Sequence, residues 1–536
     1  MATLIHAASA GLQPRDSPGR QSWRQAIPWL LLILLLSVPL AFGAFRAFPL
    51  YDDGWVLLRT KEAGAAALFQ GIPDRPLLGH LFSFFVGIVS ASPVSLVLLS
   101  GLIWAVFALE AGFLWRRLFP DLGCYACLVS CLTLAPIVVQ VQLCTVMIAL
   151  PCVLPAALAY GALLLWLRYL DGVGAGLLSL CCAAGLTISG ILVSEYAVAA
   201  SLAGLAILVE SAVARSGEER KRALTTVVFS VLATTVAYVA YRRLSSLAYR
   251  ADVNPLLAAE NATHKVAGVV LDLITGVWHS VIGGYGPALH SVALYWDSPS
   301  TILGVSFGLV IALVLGLCCG TPRLAASMES EVHGWKRVCV LSAAVAAGLA
   351  PVALMGRSTT LTEFGSRFLI PALPVATVLT VLLVVTLFRK RYVWIPITVL
   401  GLVCGNAAVV AANTAAHRHR LVTSIGNALQ PYASMDSDYT VAISSMSGMD
   451  YELTAKATKD WPAALGKKLW IYDYDAGLAV FGPRTDCNPR AELHKSLRLL
   501  ERNGPISRLL WLETRGEKLI SVEPYCRNAA PHQQNP

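Results

Sequence analysis

The chain has 536 residues, of which 56% are hydrophobic and 14% are charged, and its mean hydropathy is +0.64. Soluble domains carry about 25% charged residues, so this composition excludes a string of soluble domains. The net charge of +9 lies in short basic clusters between apolar runs, a pattern that does not indicate a nucleic-acid partner. Runs of about 20 apolar residues suit helices that cross a hydrocarbon core, and their unbroken apolar character excludes a β-barrel. We predict an all-α polytopic membrane bundle.

The first predicted elements are an N-terminal tail, residues 1–26, and a membrane span at about 27–47. Arg15, Arg20 and Arg24 precede the span, which favours a cytoplasmic tail because basic residues are retained on that side. A signal peptide is the alternative. The apolar run is long for one and no small-residue cleavage site follows it, so we expect an uncleaved first helix.

Clusters of lysine and arginine divide the remaining bundle, which we expect to end near residue 416. The clusters are Trp115–Arg117, Leu167–Gly172, Ser216–Arg222, His333–Arg337 and Phe388–Tyr392. After 27–47, the predicted spans are about 93–115, 121–139, 146–168, 174–192, 195–213, 222–245, 299–319, 337–356, 367–388 and 392–414. This makes about 11 transmembrane helices, with the N-terminus inside and the C-terminus outside.

Two segments are predicted to lie on the outer face without crossing the membrane. The stretch Pro76–Ala91 is apolar but too short for a comfortable span, so we expect an interfacial or re-entrant helix within an outer loop, 48–92. The segment Tyr249–Pro299 is predicted to be a large outer loop. Its histidines have no ligand-like spacing and are interpreted as ordinary loop residues; they are His264, His279 and His290.

The composition becomes more polar after the last span, and residues 417–536 are predicted to form a small extracytoplasmic α/β domain. Strands are predicted at "DYTVAIS", "KKLWIYDY" and "GLAVFG", and a helix at "AELHKSLRLLERNG". Cys487 and Cys526 both lie in this region, where a disulfide would suit an oxidising compartment and two unpaired thiols are the alternative.

Charged residues at the outer ends of the spans are the candidates for function, because ionisable groups at membrane depth are costly. They are Asp52, Asp53, Asp74, Arg75, Glu195, Arg357 and Arg367. Most also have a structural interpretation: an Asp can cap a helix, Asp74 and Arg75 can pair at the surface, and Arg367 can reach the headgroups. Glu195 lies in a tight turn with no basic neighbour in sequence, which favours a functional role.

These residue types suit the transfer of a sugar from a lipid phosphate. A carboxylate at the membrane surface can act as a general base on an acceptor hydroxyl, and an arginine can hold a phosphate bidentately as it leaves. Inversion at the anomeric carbon is then expected. Arginines can neutralise one phosphate charge without a metal, although Asp52 or Asp53 could hold a divalent cation. The alternatives are a polymerase or ligase of lipid-linked glycans, a transporter of such lipids, and a non-catalytic scaffold.

Three stretches resemble the GT-C superfamily of membrane glycosyltransferases, which use lipid-phosphate-linked donors. "YDDGW" is similar to the acidic motif of the first outer loop in that superfamily. "DRPLLGHLFSFF" resembles the segment that follows the motif, and "SRFLIPALP" resembles a stretch common in late spans. The resemblance implies a plasma-membrane enzyme, expected to be bacterial, that uses a polyprenyl-phosphate-sugar donor and a glycan, lipid or protein acceptor of the envelope.

The resemblance also implies roles for individual residues. The catalytic base falls on Asp53, with Asp52 as its orienting partner, or the reverse. Arg75 is implied to position the substrate, and Arg367 or Arg357 to bind the donor phosphate. One departure is "QVQLCT", where many relatives have a second acidic residue and this chain has no carboxylate. This difference weakens the case for a metal and points to Glu195 as the second acid.

Overall fold

A computed structural model describes most of the predicted bundle and four strands of the C-terminal region. The described residues are 75, 77–89, 93–172, 176–246, 262–294, 299–319, 331–355, 359, 361, 365–388, 395–413, 440–445, 470–472, 509–515 and 518–525. The predicted first span therefore lies outside the described residues. So do four of the candidate site residues: Asp52, Asp53, Asp74 and Arg357.

Fifteen α-helices follow one another along the described part of the bundle. They are α1 Leu78–Val89, α2 Pro93–Leu118, α3 Ala126–Thr133, α4 Ile137–Gln142, α5 Val146–Ile148, α6 Leu154–Leu170, α7 Gly176–Val193, α8 Tyr196–Val213, α9 Gly217–Ser246, α10 Ala262–Val281, α11 Gly286–Leu294, α12 Pro299–Cys319, α13 Glu331–Leu354, α14 Leu373–Leu387 and α15 Ile395–Asn413. Short 3-10 turns cover Pro120–Tyr125, Gly283–Tyr285 and Gly365–Ala372, and a π turn covers Ala149–Val153.

Eight helices among the described residues are long and apolar enough to cross a membrane, or nine if α10 and α11 form one bent span. They are Val94–Leu118, Ala149–Leu170, Gly176–Val193, Tyr196–Val213, Gly217–Leu244, Trp335–Leu354, Ser366–Leu387 and Ile395–Asn413. Each corresponds to a predicted span, so the prediction of an all-α, multi-pass membrane bundle is confirmed. The predicted count of 11 is not reached within the described residues.

The predicted span 121–139 is wrong as a single helix. The 3-10 turn Pro120–Tyr125 leads into α3, which ends at Thr133, and α4 begins only after Pro136. Proline has no backbone N–H and its ring clashes with the preceding turn, so it kinks or breaks a helix at its position. Gln140 Nε2 donates to the Ala135 carbonyl at 2.5 Å, which supplies a partner for a backbone oxygen beside the break. The result is a discontinuous segment inside the bundle.

The predicted outer loop Tyr249–Pro299 is also wrong in part, because it contains α10 and α11. Val266–Val281 and Gly283–His290 meet at a 48° bend, as in a broken span or a re-entrant loop. The structure places α10 against the bundle: Thr380 Oγ1 donates to the Val281 carbonyl at 2.9 Å, and His279 Nδ1 lies 2.7 Å from the Thr359 carbonyl. His279 is therefore not an ordinary loop residue.

Helix α1 covers the short apolar stretch that follows Arg75. Its 12 residues are too few to cross a hydrocarbon core, as expected from the sequence. Leu78, Phe82 and Val86 recur at the i, i+4 spacing and are buried, whereas Phe84 and Ile88 are exposed. One face of α1 thus packs on the bundle and the other faces away from it.

The basic clusters that were predicted to share one side meet at one end of the bundle. Asp171, just after α6, pairs with Arg117 at the end of α2 and with Arg215 Nη2 at 2.5 Å, between α8 and α9. Arg337 Nη1 of α13 lies 3.7 Å from Glu210 Oε2 of α8. These contacts involve three of the predicted basic clusters and Arg215, which directly precedes a fourth, as required if their loops lie on the same side.

Close helix packing brings α12 against α15. Glycines at i, i+4 spacing occur on both, as Gly304 and Gly308 on α12 and as Gly401 and Gly405 on α15. A Cβ on Gly308 would lie 2.5 Å from Leu402 Cα, and a Cβ on Gly405 would collide with the Gly308 backbone nitrogen. Small residues allow this approach, which is how membrane helices gain packing energy.

The described C-terminal strands form one mixed sheet in the order β2-β1-β3-β4. They are β1 Thr440–Ser445, β2 Trp470–Tyr472, β3 Leu509–Arg515 and β4 Lys518–Tyr525. β1 is parallel to β2 and β3, whereas β3 and β4 are antiparallel. β1 overlaps one predicted strand and β2 falls within another, whereas the sequence does not predict the β3–β4 pair. The other predicted strand and the helix lie outside the described residues.

Candidate functional site

The tight turn between α7 and α8 presents Glu195 at the end of the bundle opposite Asp171. Only Ser194 and Glu195 separate the two helices, and Ser194 is fully buried. At the start of α8, Val198 N donates a hydrogen bond to the Glu195 carbonyl at 3.0 Å. At Gly190 an added Cβ would lie 3.1 Å from Ala197 Cβ, so the absence of a side chain lets the two helices converge. This reversal holds Glu195 in one place.

Three groups hold the Glu195 carboxylate from different parts of the chain. Arg75 Nη2 lies 3.6 Å from Oε1, and the Tyr241 hydroxyl donates to Oε2 at 2.9 Å. Ser194 Oγ donates to Oε2 at 3.3 Å. The Glu195 side chain remains 37% exposed, so the group is anchored but within reach of solvent or substrate.

The charge state of Glu195 follows from these contacts. Burial acts to raise the pKa of this carboxyl, but the Arg75 guanidinium and hydrogen bonds from the Glu195 backbone, Tyr241 and Ser194 outweigh it. The net effect is a pKa below the ordinary value. Glu195 is therefore an ionised carboxylate at neutral pH, able to hold a cation or to accept a proton but not to donate one.

Arg75 reaches this turn because the chain before α1 is hydrogen-bonded to it. Leu77 N donates to the Leu192 carbonyl at 3.2 Å, and Leu78 N donates to the Arg75 carbonyl at 3.1 Å. The first bond ties the start of α1 to the last turn of α7. The predicted Asp74–Arg75 pair is not tested, since Asp74 lies outside the described residues; the structure pairs Arg75 with Glu195.

Arg367 enters the same region from the 3-10 turn that leads into α14. Its guanidinium carbon lies 5.1 Å from the centroid of the Phe368 ring, a cation–π distance. Phe368 in turn stacks on Tyr196, with centroids 6.5 Å apart and planes 7° apart. This stack connects Arg367 to the residue that directly follows Glu195.

Cys152, in the π turn before α6, belongs to the same region. Its thiol is within range of electrostatic interaction with Tyr196, Arg75, Arg367 and Glu195. We call the resulting set the Glu195 cluster. Its members are Arg75, Cys152, Ser194, Glu195, Tyr196, Tyr241, Arg367 and Phe368.

The structure therefore brings together three of the predicted site residues, Arg75, Glu195 and Arg367. It adds Cys152 and Tyr241, which sequence reasoning missed. Tyr241 lies in "YRRLSS" near the end of α9, where an aromatic residue beside two arginines is a weak signal of a membrane boundary. Cys152 carries no such signal, because a cysteine in an apolar run is usually a small core residue.

A metal centre is not formed by the described part of the chain. Within it, no group of three or more His, Cys, Asp or Glu side chains could hold a metal ion. A divalent cation, which the sequence leaves open, would depend on Asp52 and Asp53, and these lie outside the described residues. The chemistry that the Glu195 cluster offers is anion binding by two guanidinium groups beside a fixed carboxylate.

The fold defines the protein as a multi-pass integral membrane protein. The chain matches no protein-family model, and a search of curated proteins finds no similar sequence. The resemblance seen in the sequence motifs therefore stays a prediction, and the function has to be argued from the geometry of the cluster.

Proposed function

We propose that the protein is an integral-membrane glycosyltransferase. It transfers a sugar from a polyprenyl-phosphate-linked donor to a glycan, lipid or protein acceptor on the outer face of the membrane. The observation that carries this proposal is the Arg75–Glu195 pair at one end of the bundle, next to the stack of Arg367, Phe368 and Tyr196. A phosphate on a long apolar chain has its tail in the bilayer and its charge at this level. Two guanidinium groups there are suited to bind it.

The proposed reaction uses an acidic residue of the first outer loop as general base. Asp53, or Asp52, takes the proton from the acceptor hydroxyl, whose oxygen then bonds to the anomeric carbon. The bond from that carbon to the phosphate oxygen breaks, and the phosphate leaves with the electron pair. Arg367 or Arg357 stabilises the leaving phosphate, and attack from the opposite face inverts the anomeric carbon.

Glu195 has a supporting role in this proposal. Its carboxylate is ionised and already held by Tyr241, Ser194 and Arg75, so it is suited to orient the Arg75 guanidinium. An arginine held in one orientation loses less entropy when it binds a phosphate, which strengthens binding. Glu195 thus acts on the substrate through Arg75.

The proposed architecture places the enzyme in a bacterial plasma membrane. It has about 11 spans, with the basic end of the bundle in the cytoplasm and the Glu195 cluster outside. The C-terminal region forms an α/β domain on the outer side, where it is suited to contact the acceptor. The mixed sheet of β1–β4 supports the strand part of this proposal.

The decisive experiment measures transfer of labelled sugar from polyprenyl-phosphate donors in membranes that contain equal amounts of each variant. We expect Asp53→Asn or Asp52→Asn to abolish transfer, because an amide cannot accept the hydroxyl proton. Arg367→Gln and Glu195→Gln should lower transfer at least tenfold through weaker donor binding, which corresponds to about 1.4 kcal/mol. Lys221→Gln is the matched control, since Lys221 is exposed at the basic end. Normal transfer by both aspartate variants would exclude the proposal.

A second candidate, a transporter for a lipid-linked glycan, is favoured by the broken helices. The break at Pro136 and the bend at Gly283–Tyr285 lie side by side, since a Cβ on Gly284 would lie 3.5 Å from Pro136 Cβ. Discontinuous helices that meet inside a bundle are typical of transport sites. Purified protein in vesicles distinguishes the two: a transporter moves labelled lipid between leaflets without an acceptor, whereas a transferase consumes it only when an acceptor is added.

A further inference from the structure

Glu110 is a carboxyl group inside a membrane-spanning helix, distant from the Glu195 cluster. It lies on α2, about 24 Å along the helix axis from Val94 and about 12 Å from Leu118. Glu110 therefore lies within the span and not at either end of it. Sugar transfer at the outer surface has no evident use for a group at this depth, so Glu110 requires its own explanation.

The Glu110 carboxyl lies next to Gly161 and Leu186, neither of which has a polar side chain. A Cβ on Gly161 of α6 would lie 3.1 Å from Glu110 Oε1 and 3.6 Å from Leu186 Cδ1 of α7. The absence of a side chain at Gly161 therefore leaves the space that the carboxyl occupies. Glu110 as a whole is partly exposed, although its Oε2 is inaccessible. The carboxyl thus lies where α2 meets α6 and α7, on a residue that is partly exposed.

No described group compensates a negative charge at this position. Glu110 Oε2 has no hydrogen-bond partner. The titratable neighbour on α6 is Tyr160, whose hydroxyl donates to the Pro371 carbonyl at 2.7 Å. On α2 the next charged residues toward the basic end are Arg116 and Arg117; Arg116 is exposed and Arg117 pairs with Asp171.

Two further titratable groups, both on α7, are the thiols of Cys181 and Cys182, which are exposed. Neither is a cation. An ionised carboxylate without a partner in such surroundings would cost several kcal/mol, whereas the neutral acid avoids most of that cost.

We propose that Glu110 is a proton-binding site inside the membrane, held as the neutral acid and open to lipophilic carbodiimides from the bilayer. In that reaction the acid proton moves to one carbodiimide nitrogen, and the carboxyl oxygen bonds to the central carbon. The acyl group of the resulting O-acylisourea then migrates to nitrogen and forms a stable N-acylurea. No group leaves, and the protein gains the full mass of the reagent. Ionised carboxylates lack the proton that this addition requires.

The experiment treats the full-length protein in membranes with dicyclohexylcarbodiimide and locates the adducts by peptide mass spectrometry. We expect an adduct at Glu110 that is absent from Glu110→Gln. The matched controls within the same molecule are Glu210 and Glu195, which are close to Arg337 and Arg75 and should stay unmodified. An unmodified Glu110, or equal modification of Glu210, would overturn the proposal.

A stability measurement tests the protonation state independently of reagent access. Glutamine has nearly the shape of the neutral acid, so Glu110→Gln should melt within about 2 °C of the wild type. Glu110→Lys introduces a charge of the opposite sign and should melt far lower. A large loss of stability in Glu110→Gln would show that the native group is an ionised carboxylate with a partner, and the proposal would be rejected.

Discussion

At the scale of single residues, three carboxyl groups of the bundle lie in two different environments. Glu195 and Asp171 lie at opposite ends, and each is held by arginine. Glu110 lies between them with no such partner among the described groups. The difference follows from depth, because guanidinium groups reach water at the ends of a span and are costly within it. The position of a carboxyl group along its helix thus determines whether an arginine can pair with it.

The low pKa of Glu195 predicts how stability depends on pH. A carboxylate whose pKa falls on folding stabilises the protein above the unfolded value, about 4.3, and this contribution is lost as the pH falls through the folded value. The melting temperature of Glu195→Gln should therefore lie below that of the wild type at pH 7, and the difference should vanish in strong acid. Since the side chain is 37% exposed, we expect about 1 kcal/mol or less.

Two further variants make the Glu195 measurement specific. Tyr241→Phe removes one hydrogen bond to the carboxylate and should show a smaller version of the same pH-dependent difference. Glu218→Gln changes a carboxylate that is 79% exposed, and its melting temperature should match the wild type throughout. A Glu195→Gln difference that persists unchanged to pH 2 would contradict the assignment of an ionised, paired carboxylate.

At the scale of helices, small residues decide how closely two spans approach. Apolar surface gains nothing by leaving lipid for protein, so packing depends on the shape of the contact. Gly308 and Gly405 allow the backbones of α12 and α15 to come into direct contact. The length of the apolar runs predicts the spans themselves, but it does not show which glycine faces another helix and which faces lipid.

Substitution of Gly405 tests this contact. Gly405→Val places a side chain against the backbone of Gly308 and should cost about 1–3 kcal/mol through forced separation of the helices. Gly185→Val is the matched control, because a Cβ on Gly185 of α7 would meet nothing within 4 Å. Thermal unfolding followed by fluorescence size-exclusion chromatography should show a lower melting temperature for the Gly405 variant alone. Equal losses in the two variants would argue against the close contact.

At the scale of the whole molecule, the two ends of the bundle carry different groups of charged residues. One end carries the ion pairs around Asp171, and the other carries the Glu195 cluster with its two arginines. Helix α9 extends from one end to the other, with Lys221 at the basic end and Tyr241 in the Glu195 cluster. Which of the two ends faces the cytoplasm stays a prediction from the basic loops.

Thiol labelling measures that sidedness with two positions on α9. Lys221→Cys and Arg243→Cys lie about 33 Å apart along the helix. A membrane-impermeant maleimide should modify Arg243→Cys in right-side-out vesicles and Lys221→Cys only in inverted ones. Peptide mass spectrometry identifies the modified position, so the native cysteines can stay in place. Reaction of both from one side would show that α9 does not cross the membrane.

Run length and the placement of lysine and arginine sufficed to predict the class of protein, the eight confirmed spans and the grouping of the basic clusters. These properties are local, because a helix must be long enough to cross the hydrocarbon and basic residues must flank it on one side. The contact of Glu195 with Arg75 and Tyr241, the break at Pro136 and the isolation of Glu110 became visible only in the folded bundle. Such contacts join residues far apart in the chain, and they depend on which helix faces pack together, which no local pattern specifies.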